Sequence, residues 1–399
     1  MRTVIAVLLV FTAFVGGVYV GAYPDTPVVG GLKEIIAPDR ATISTDQVQD
    51  LIEQDFYRKV PDEKLTNGSI NGMVESLNDR FSHYFDPEQN KEFAQATSGR
   101  YTGVGMAVNE DDNGLLVTIT YPKSPAREAG IKAGDVITEV NGKSIKGLSA
   151  DEAVAKIKGP EGTEVTLSVA TPADDKSKKL GKPRELTMTR KAIAIPVTEG
   201  KLYKREGRKI GYVQLISFTE TSGNAVRAQV NSLKKKGADS YVLDLRGNPG
   251  GRLDQAVAVS SVFIKDGMIV ATDGRSRKRE QFNAIEEDFL TTDPLVVLVD
   301  KGSASASEIT AGAIKYRDRG LIVGTRTYGK GIFQEVTELK NGGAVSLTVG
   351  RYVLPGNHYI GKGGLKPDLT VEDAKDTRPD EALDAAFKSL GQFDAPAGK

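Results

Sequence analysis

The sequence predicts an α/β chain, α+β taken end to end, and three observations carry that prediction. Strands alternate with helices between Ile210 and Thr327. A Gly-rich run of short strands and hairpin turns fills Tyr101 to Arg190. Apolar residues recur at helical spacing between Ser44 and Gln95. At 399 residues the chain is long enough for roughly two or three domains with cores of their own.

Val4 to Val20 is an almost unbroken apolar run preceded by Arg2, and the first charge after it is Asp25. About 20 apolar residues span a bilayer as a helix. The positive charge on the short side keeps that end in the cytoplasm and puts the rest outside. Val20-Gly21-Ala22 also resembles a small-residue cleavage site. Residues 1–22 are therefore read as a membrane anchor or a signal peptide, single-pass if retained and released if cleaved. The Pro- and Gly-rich residues 23–43 read as a linker.

Ser44-Thr45-Asp46 can cap a helix in which Val48, Leu51, Ile52 and Phe56 share a face. A second helix is expected from Ile70 to Leu77, ending at the turn Asn78-Asp79-Arg80. Residues 44–98 form this small helical region.

Gly103-Val104-Gly105-Met106 is a Gly-rich entry into a strand, with Gly114 to Tyr121 as its partner. A short helix ends at Gly130, Gly134-Asp135 opens another strand, and Asn141-Gly142 closes it as a hairpin. Ser149 and Glu152 cap a helix carrying Ala153, Val154 and Ile157, and Thr163 to Val169 is a strand. This ordered string resembles a PDZ domain of the bacterial type over residues 99–190. The resemblance implies that Gly103, Val104, Gly105 and Met106 form a nest of backbone N–H groups for a C-terminal carboxylate. A peptide would then add to the strand edge, with Val154 and Ile157 lining the pocket for its last side chain.

Residues 191–375 hold the α/β unit. Strands are expected at Ile210–Ile216, Ser240–Arg246, Pro294–Asp300 and Leu321–Thr327, with helices over Thr221–Lys236, from Leu253, and over Ser305–Tyr316. In such sheets, sites lie at the carboxyl ends of strands. Two of these ends attract attention: Gly247-Asn248-Pro249-Gly250-Gly251, and the hydroxyl-rich turn Gly302 to Glu308.

Composition removes several chemistries. Fifty-three basic residues balance fifty-three acidic ones, so no basic field exists for nucleic acid. The chain has no cysteine and two histidines, His83 and His358, with no HExxH motif. Disulfides, thiolate metal sites and a three-histidine zinc site are excluded, and no cofactor is expected. A serine at a helix N-terminus needs a base, and neither histidine has a catalytic-looking neighbourhood. Lys330 sits between Gly329 and Gly331 after a buried strand, where desolvation would lower its pKa, and Gln334 can orient its amine.

At these residues the chain resembles the carboxy-terminal processing peptidases, or tail-specific proteases. The resemblance rests on Asn78 to Tyr84, Leu243 to Gly251, Gly302 to Ile309, Tyr328 to Gly331 with Gln334, and Gly364 to Asp368. It implies a crotonase-like peptidase core beside the PDZ module. It also implies Ser305 as nucleophile, Lys330 as general base, Gln334 as its partner, and the N–H groups of Gly251 and Ala306 as oxyanion hole. Pattern alone does not choose among Ser303, Ser305 and Ser307; the family's spacing to the lysine favours Ser305. Where the family often has Arg before the glycine of Ile157-Lys158-Gly159, Lys158 lacks the bidentate fork. Expected partners are proteins with apolar C-terminal tails, the membrane through the N-terminal segment, and a second copy of the chain through the N-terminal helices and the amphipathic Pro379 to Phe393, within residues 376–399. Two rival readings are an inactive PDZ scaffold and a crotonase-like acyl-group enzyme.

Overall fold

The computed structural model describes residues 44–172, 180–205, 207–372 and 380–390. The expected anchor, the linker at 23–43, most of the loop after Thr171 and the end of the chain from 391 lie outside the described residues. Among the described residues no helix is long and apolar enough to cross a membrane. The chain divides after Asn78 into two compact units.

In the first unit, α1 (Thr45–Asp55) is capped by Ser44, whose side chain accepts the Gln47 N–H while the Gln47 side chain accepts the Ser44 N–H. Helix α2 spans Asp62–Glu75, starting eight residues before the expected Ile70. Gly68 and Gly72 dilute the helical signal there, while Asp62 and Glu63 in the first turn favour the earlier start.

The second unit begins with β1 (His83–Phe85), α3 (Pro87–Ser98) and β2 (Arg100–Gly103). An antiparallel sheet follows, in the order β3-β4-β5-β7-β8. Its strands are β3 (Met106–Asp111), β4 (Gly114–Thr120), β5 (Val136–Val140), β7 (Glu164–Ala170) and β8 (Arg184–Thr189). Strand β6 (Lys143–Ser144) folds back on β5 through Asn141 and Gly142, whose φ of 49° and 71° fit a type I′ turn. Helices α4 (Pro125–Glu128) and α5 (Ala150–Ile157) pack on this sheet, and β9 (Lys191–Ala194) returns to pair with β2.

The remaining elements are β10 (Thr198–Arg205), β11 (Arg208–Leu215), α6 (Ser222–Lys235), β12 (Ser240–Asp244), α7 (Leu253–Ser261), β13 (Met268–Asp273), β14 (Glu280–Asn283), β15 (Leu295–Val299), α8 (Ala306–Tyr316), β16 (Leu321–Gly324), β17 (Ile332–Glu338), β18 (Ala344–Leu354), β19 (His358–Tyr359), β20 (Leu369–Thr370) and α9 (Glu381–Leu390). The central sheet runs β10-β11-β12-β15-β16-β20 and is parallel from β11 onward. Period-2 alternation sends Leu243, Val297 and Ile322 towards α6, α7 and α8, and Val242, Leu298 and Val323 towards Ala386 and Phe387 of α9. With both faces covered, these strands read as unbroken apolar runs, which made them visible in the sequence. A second antiparallel sheet (β1-β18-β13-β14, with β17 and β19 also on β18) was not expected. Strand β17 is half-buried to exposed and rich in Gln, Glu and Thr, so its alternation is weak.

Candidate active site

Three loops meet at the carboxyl ends of β12, β15 and β16. Asp300 ties the first two: its Oδ1 accepts the N–H groups of Gly247 (2.8 Å), Gly302 (2.9 Å) and Ser303 (3.1 Å). The Ser303 hydroxyl donates to the Leu245 carbonyl at 2.7 Å, and the Ser307 hydroxyl to the Asn248 carbonyl at 2.9 Å. These two serines are fully buried and serve as fasteners. Ser305 differs. It heads α8 with φ 54° and ψ −112°, a strained conformation for a residue with a Cβ, and its side chain reaches a cavity of about 820 Å³.

Gly250 and Gly251 press against that turn. A Cβ on Gly250 would stand 2.6 Å from the Ala304 carbonyl oxygen and 2.9 Å from the Ala306 nitrogen. The N–H groups of Gly251 and Ala306 have no hydrogen-bond partner among the described residues. They stand on two facing loops, after β12 and after β15, and both donors are unspent, which suits an accepting oxygen.

Lys330, Gln334 and Gly251 line the cavity with Ser305, between apolar walls that include Phe81, Phe282, Phe333 and Tyr352. Burial holds the Lys330 ammonium below its ordinary pKa, partly offset by the charge of Asp79. Burial also pushes the Tyr352 phenol up to about 12, with the Ser305 side chain facing it. Lys330 Nζ lies 5.0 Å from the centre of the Phe81 ring and makes no hydrogen bond to Ser305 Oγ among the described residues. Gln334 makes no hydrogen bond to the Lys330 amine among the described residues. A bulge between Phe333 and Gln334 sets Gln334 opposite Thr348, and its Nε2 donates to Thr348 Oγ1 at 3.0 Å. Lys330 itself precedes a strand, β17, rather than following one directly. His83 lines the cavity but makes no hydrogen bond to Ser305 among the described residues.

Sequence reasoning gave no role to Glu308, which is 0% exposed. Its Oε2 accepts the N–H groups of Ser305 and Lys330, each at 2.9 Å. Its Oε1 accepts the Gly329 N–H at 2.8 Å and the Thr327 hydroxyl at 2.5 Å. The signal was the spacing: an acid three residues after a Ser at a helix start is a capping-box pattern.

In the β3–β8 unit, Gly105 takes φ 81° between β2 and β3, and the outer edge of β3 has no strand partner among the described residues. Val104 and Ile157 are core residues at 1% and 5% exposure; Met106 and Val154 stay half-buried beside them. The Tyr101 hydroxyl is buried beside the N–H groups of Gly105 and Met106. Burial pushes that phenol up to about 12. Lys158 is exposed, and the guanidinium that caps α5 comes from Arg190, whose Nε donates to the Ile157 carbonyl at 2.8 Å.

Residues 209–371 match peptidase family S41, 93–170 match the PDZ domain, and 40–89 match the N-terminal domain of the activating protease CtpB. The carboxy-terminal processing protease CtpA of Bacillus subtilis is 37% identical over 343 residues, 86% of this chain and 71% of that protein. The chain belongs to peptidase family S41. It is a serine peptidase with a PDZ domain, of the carboxy-terminal processing type. A CtpA-like serine protease of Staphylococcus aureus is 35% identical over 84% of this chain and 66% of its own length. Among solved structures, the photosystem II D1 C-terminal processing protease is similar at 30% identity with a TM-score of 0.50, covering 88% of this chain and 91% of that one. An S41 protease from Bacteroides fragilis shares the fold at 17% identity and a TM-score of 0.52, over 87% of this chain and 98% of that one. The S41 fold here is the mixed helix and strand architecture expected from the sequence.

Proposed function

We propose that this S41 peptidase is a Ser–Lys endopeptidase that cuts proteins near their C-terminal tails. Ser305 is the nucleophile, Lys330 the general base, Gln334 its orienting partner, and the N–H groups of Gly251 and Ala306 the oxyanion hole. The observation that carries this reading is the strained Ser305 at the head of α8, opening into the cavity that Lys330 also lines.

Neutral Lys330 takes the Ser305 proton as Oγ bonds to the scissile carbonyl carbon. The carbonyl oxygen becomes an oxyanion, stabilised by roughly 3–4 kcal/mol per donor in comparable sites. Collapse breaks the C–N bond, and the Lys330 ammonium returns its proton to the leaving amine. Water, deprotonated by Lys330, then cleaves the acyl-enzyme. Catalytic hydrogen bonds often form only with substrate in place, so Lys330 and Gln334 exchange their present partners on binding.

The tail docks on the open edge of β3, its carboxylate in the nest of Gly103 to Met106 and its last side chain against Val154 and Ile157. Apolar tails suit that pocket. Residues 99–190 act as the capturing module, 191–375 as the peptidase core and 44–98 as a helical appendage. Residues 1–22 hold or lead the enzyme to the outer side of the cell membrane, which their apolar run behind Arg2 supports. The exposed Val48 and Leu51 on α1, with Phe56 directly after it, suit a homodimer contact.

Replacing Ser305 by Ala should abolish cleavage of a model protein bearing an apolar tail, and the circular dichroism spectrum should be unchanged. Retained cleavage would overturn the assignment.

A further inference from the structure

The ring of Phe81 is held in place by a small hydrogen-bonded turn. Asp79 Oδ1 accepts the Phe81 N–H at 3.3 Å, and Oδ2 accepts the Ser82 hydroxyl at 2.7 Å. Ser82 Oγ in turn accepts the Thr348 N–H at 3.0 Å, pinning the turn to β18. Strand β1 continues that attachment, pairing His83 with Ser346. The main chain that carries the ring is thus tied to the sheet, the ring lines the cavity, and Lys330 Nζ rests 5.0 Å from its centre.

The face of an aromatic ring attracts a cation and offers nothing to a neutral amine's lone pair. A lysine resting there is favoured as ammonium, the form that cannot accept the Ser305 proton. We propose that Phe81 is a positioning residue that parks Lys330 away from Ser305 until a substrate enters the cavity and displaces the amine from the ring. This rests on the reading of Lys330 as the base.

Several charges bear on the parked amine. The charge of Asp79 favours the ammonium, while burial opposes it. The Arg80 guanidinium lies 4.5 Å from the centre of the same ring and competes for it. His83, Arg277, Lys278, Glu280 and Glu335 line the cavity, and Tyr352 faces Ser305. Hydrogen bonds from the Ser82 hydroxyl and the Phe81 N–H keep Asp79 in place through any exchange of the lysine.

The test compares Phe81→Leu and Phe81→Met with Phe81→Tyr in the full chain. One readout is the pH profile of kcat/KM on a tail-bearing peptide. The other is the rate at which a serine-directed phosphonate labels the peptide-free enzyme. Loss of the ring should move the acidic limb down by about half a unit to one unit and speed labelling ~3- to 10-fold, and Phe81→Tyr should restore both. A limb and a labelling rate unmoved in Leu and Met variants that melt like the parent would overturn the proposal and leave the base assignment standing. Wild-type labelling of Lys330→Ala would overturn both.

Discussion

One carboxylate oxygen of Glu308 accepts the backbone N–H of Lys330 at 2.9 Å, and the same oxygen accepts the Ser305 N–H at the same distance. The two residues proposed to do the chemistry lie on different loops. One buried side chain at the start of α8 holds their main chains in common register, while their side chains remain free to change partners.

Replacing Glu308 by Gln should therefore harm activity more than its size suggests. The amide keeps one accepting oxygen, so two of the four donors lose their partner, at about 1–3 kcal/mol for each buried group left unsatisfied. The expected outcome is a fall in kcat/KM of about tenfold to a hundredfold with a lower melting temperature, measured by peptide cleavage and thermal unfolding.

The pH dependence follows from burial of Lys330. Its pKa lies below the ordinary 10.5, and only the neutral amine can serve as base. The neutral fraction grows as pH rises through the folded-state pKa, so kcat/KM should climb from acid towards alkaline pH and level off above that pKa. Lys330→Arg, whose side chain stays charged, should show no such limb and no measurable turnover.

Gly250 has φ 98°, and an added Cβ would strike the Ala304 carbonyl and the Ala306 nitrogen. Gly250→Ala should cost about 1–2 kcal/mol from the backbone angle alone. Relief of the clash should push the nucleophile turn away from Gly251. A stability loss with a disproportionate fall in kcat, rather than a rise in KM, is expected from steady-state kinetics.

The Tyr101 hydroxyl lies beside two of the N–H groups proposed to receive a tail carboxylate. Tyr101→Phe removes the hydroxyl that faces the Gly105 and Met106 N–H groups and leaves the ring in place. A fluorescent peptide ending in an apolar residue should bind several-fold more tightly to this variant, about 1 kcal/mol, by anisotropy.

Much of the core was legible because its parallel strands are buried on both faces. Leu295 to Val299 is apolar at every position, and such a run stands out without any partner being known. The second sheet was hidden because β17 and β18 are long, partly exposed and mixed in character. At the site, Ser305 could not be separated from Ser303 and Ser307 by pattern. The distinction lies in which hydroxyl finds a carbonyl, and that depends on Leu245 and Asn248, far away in sequence. The resting contacts of Lys330 and Gln334 were equally out of reach, because Phe81 and Thr348 come from β1's approach and from β18.

Arg246 leaves the end of β12 and grips Asp244 on one side and Asp380 on the other, the latter through two contacts of 2.9 Å. Helix α9 starts at that anchor and buries Ala382, Ala386, Phe387 and Leu390 on the central sheet. Peptide bonds are cut in extended form, and α9 can become extended only by giving up both the fork and the oily face beneath it. Cleavage within α9 would therefore require the helix to leave the sheet first.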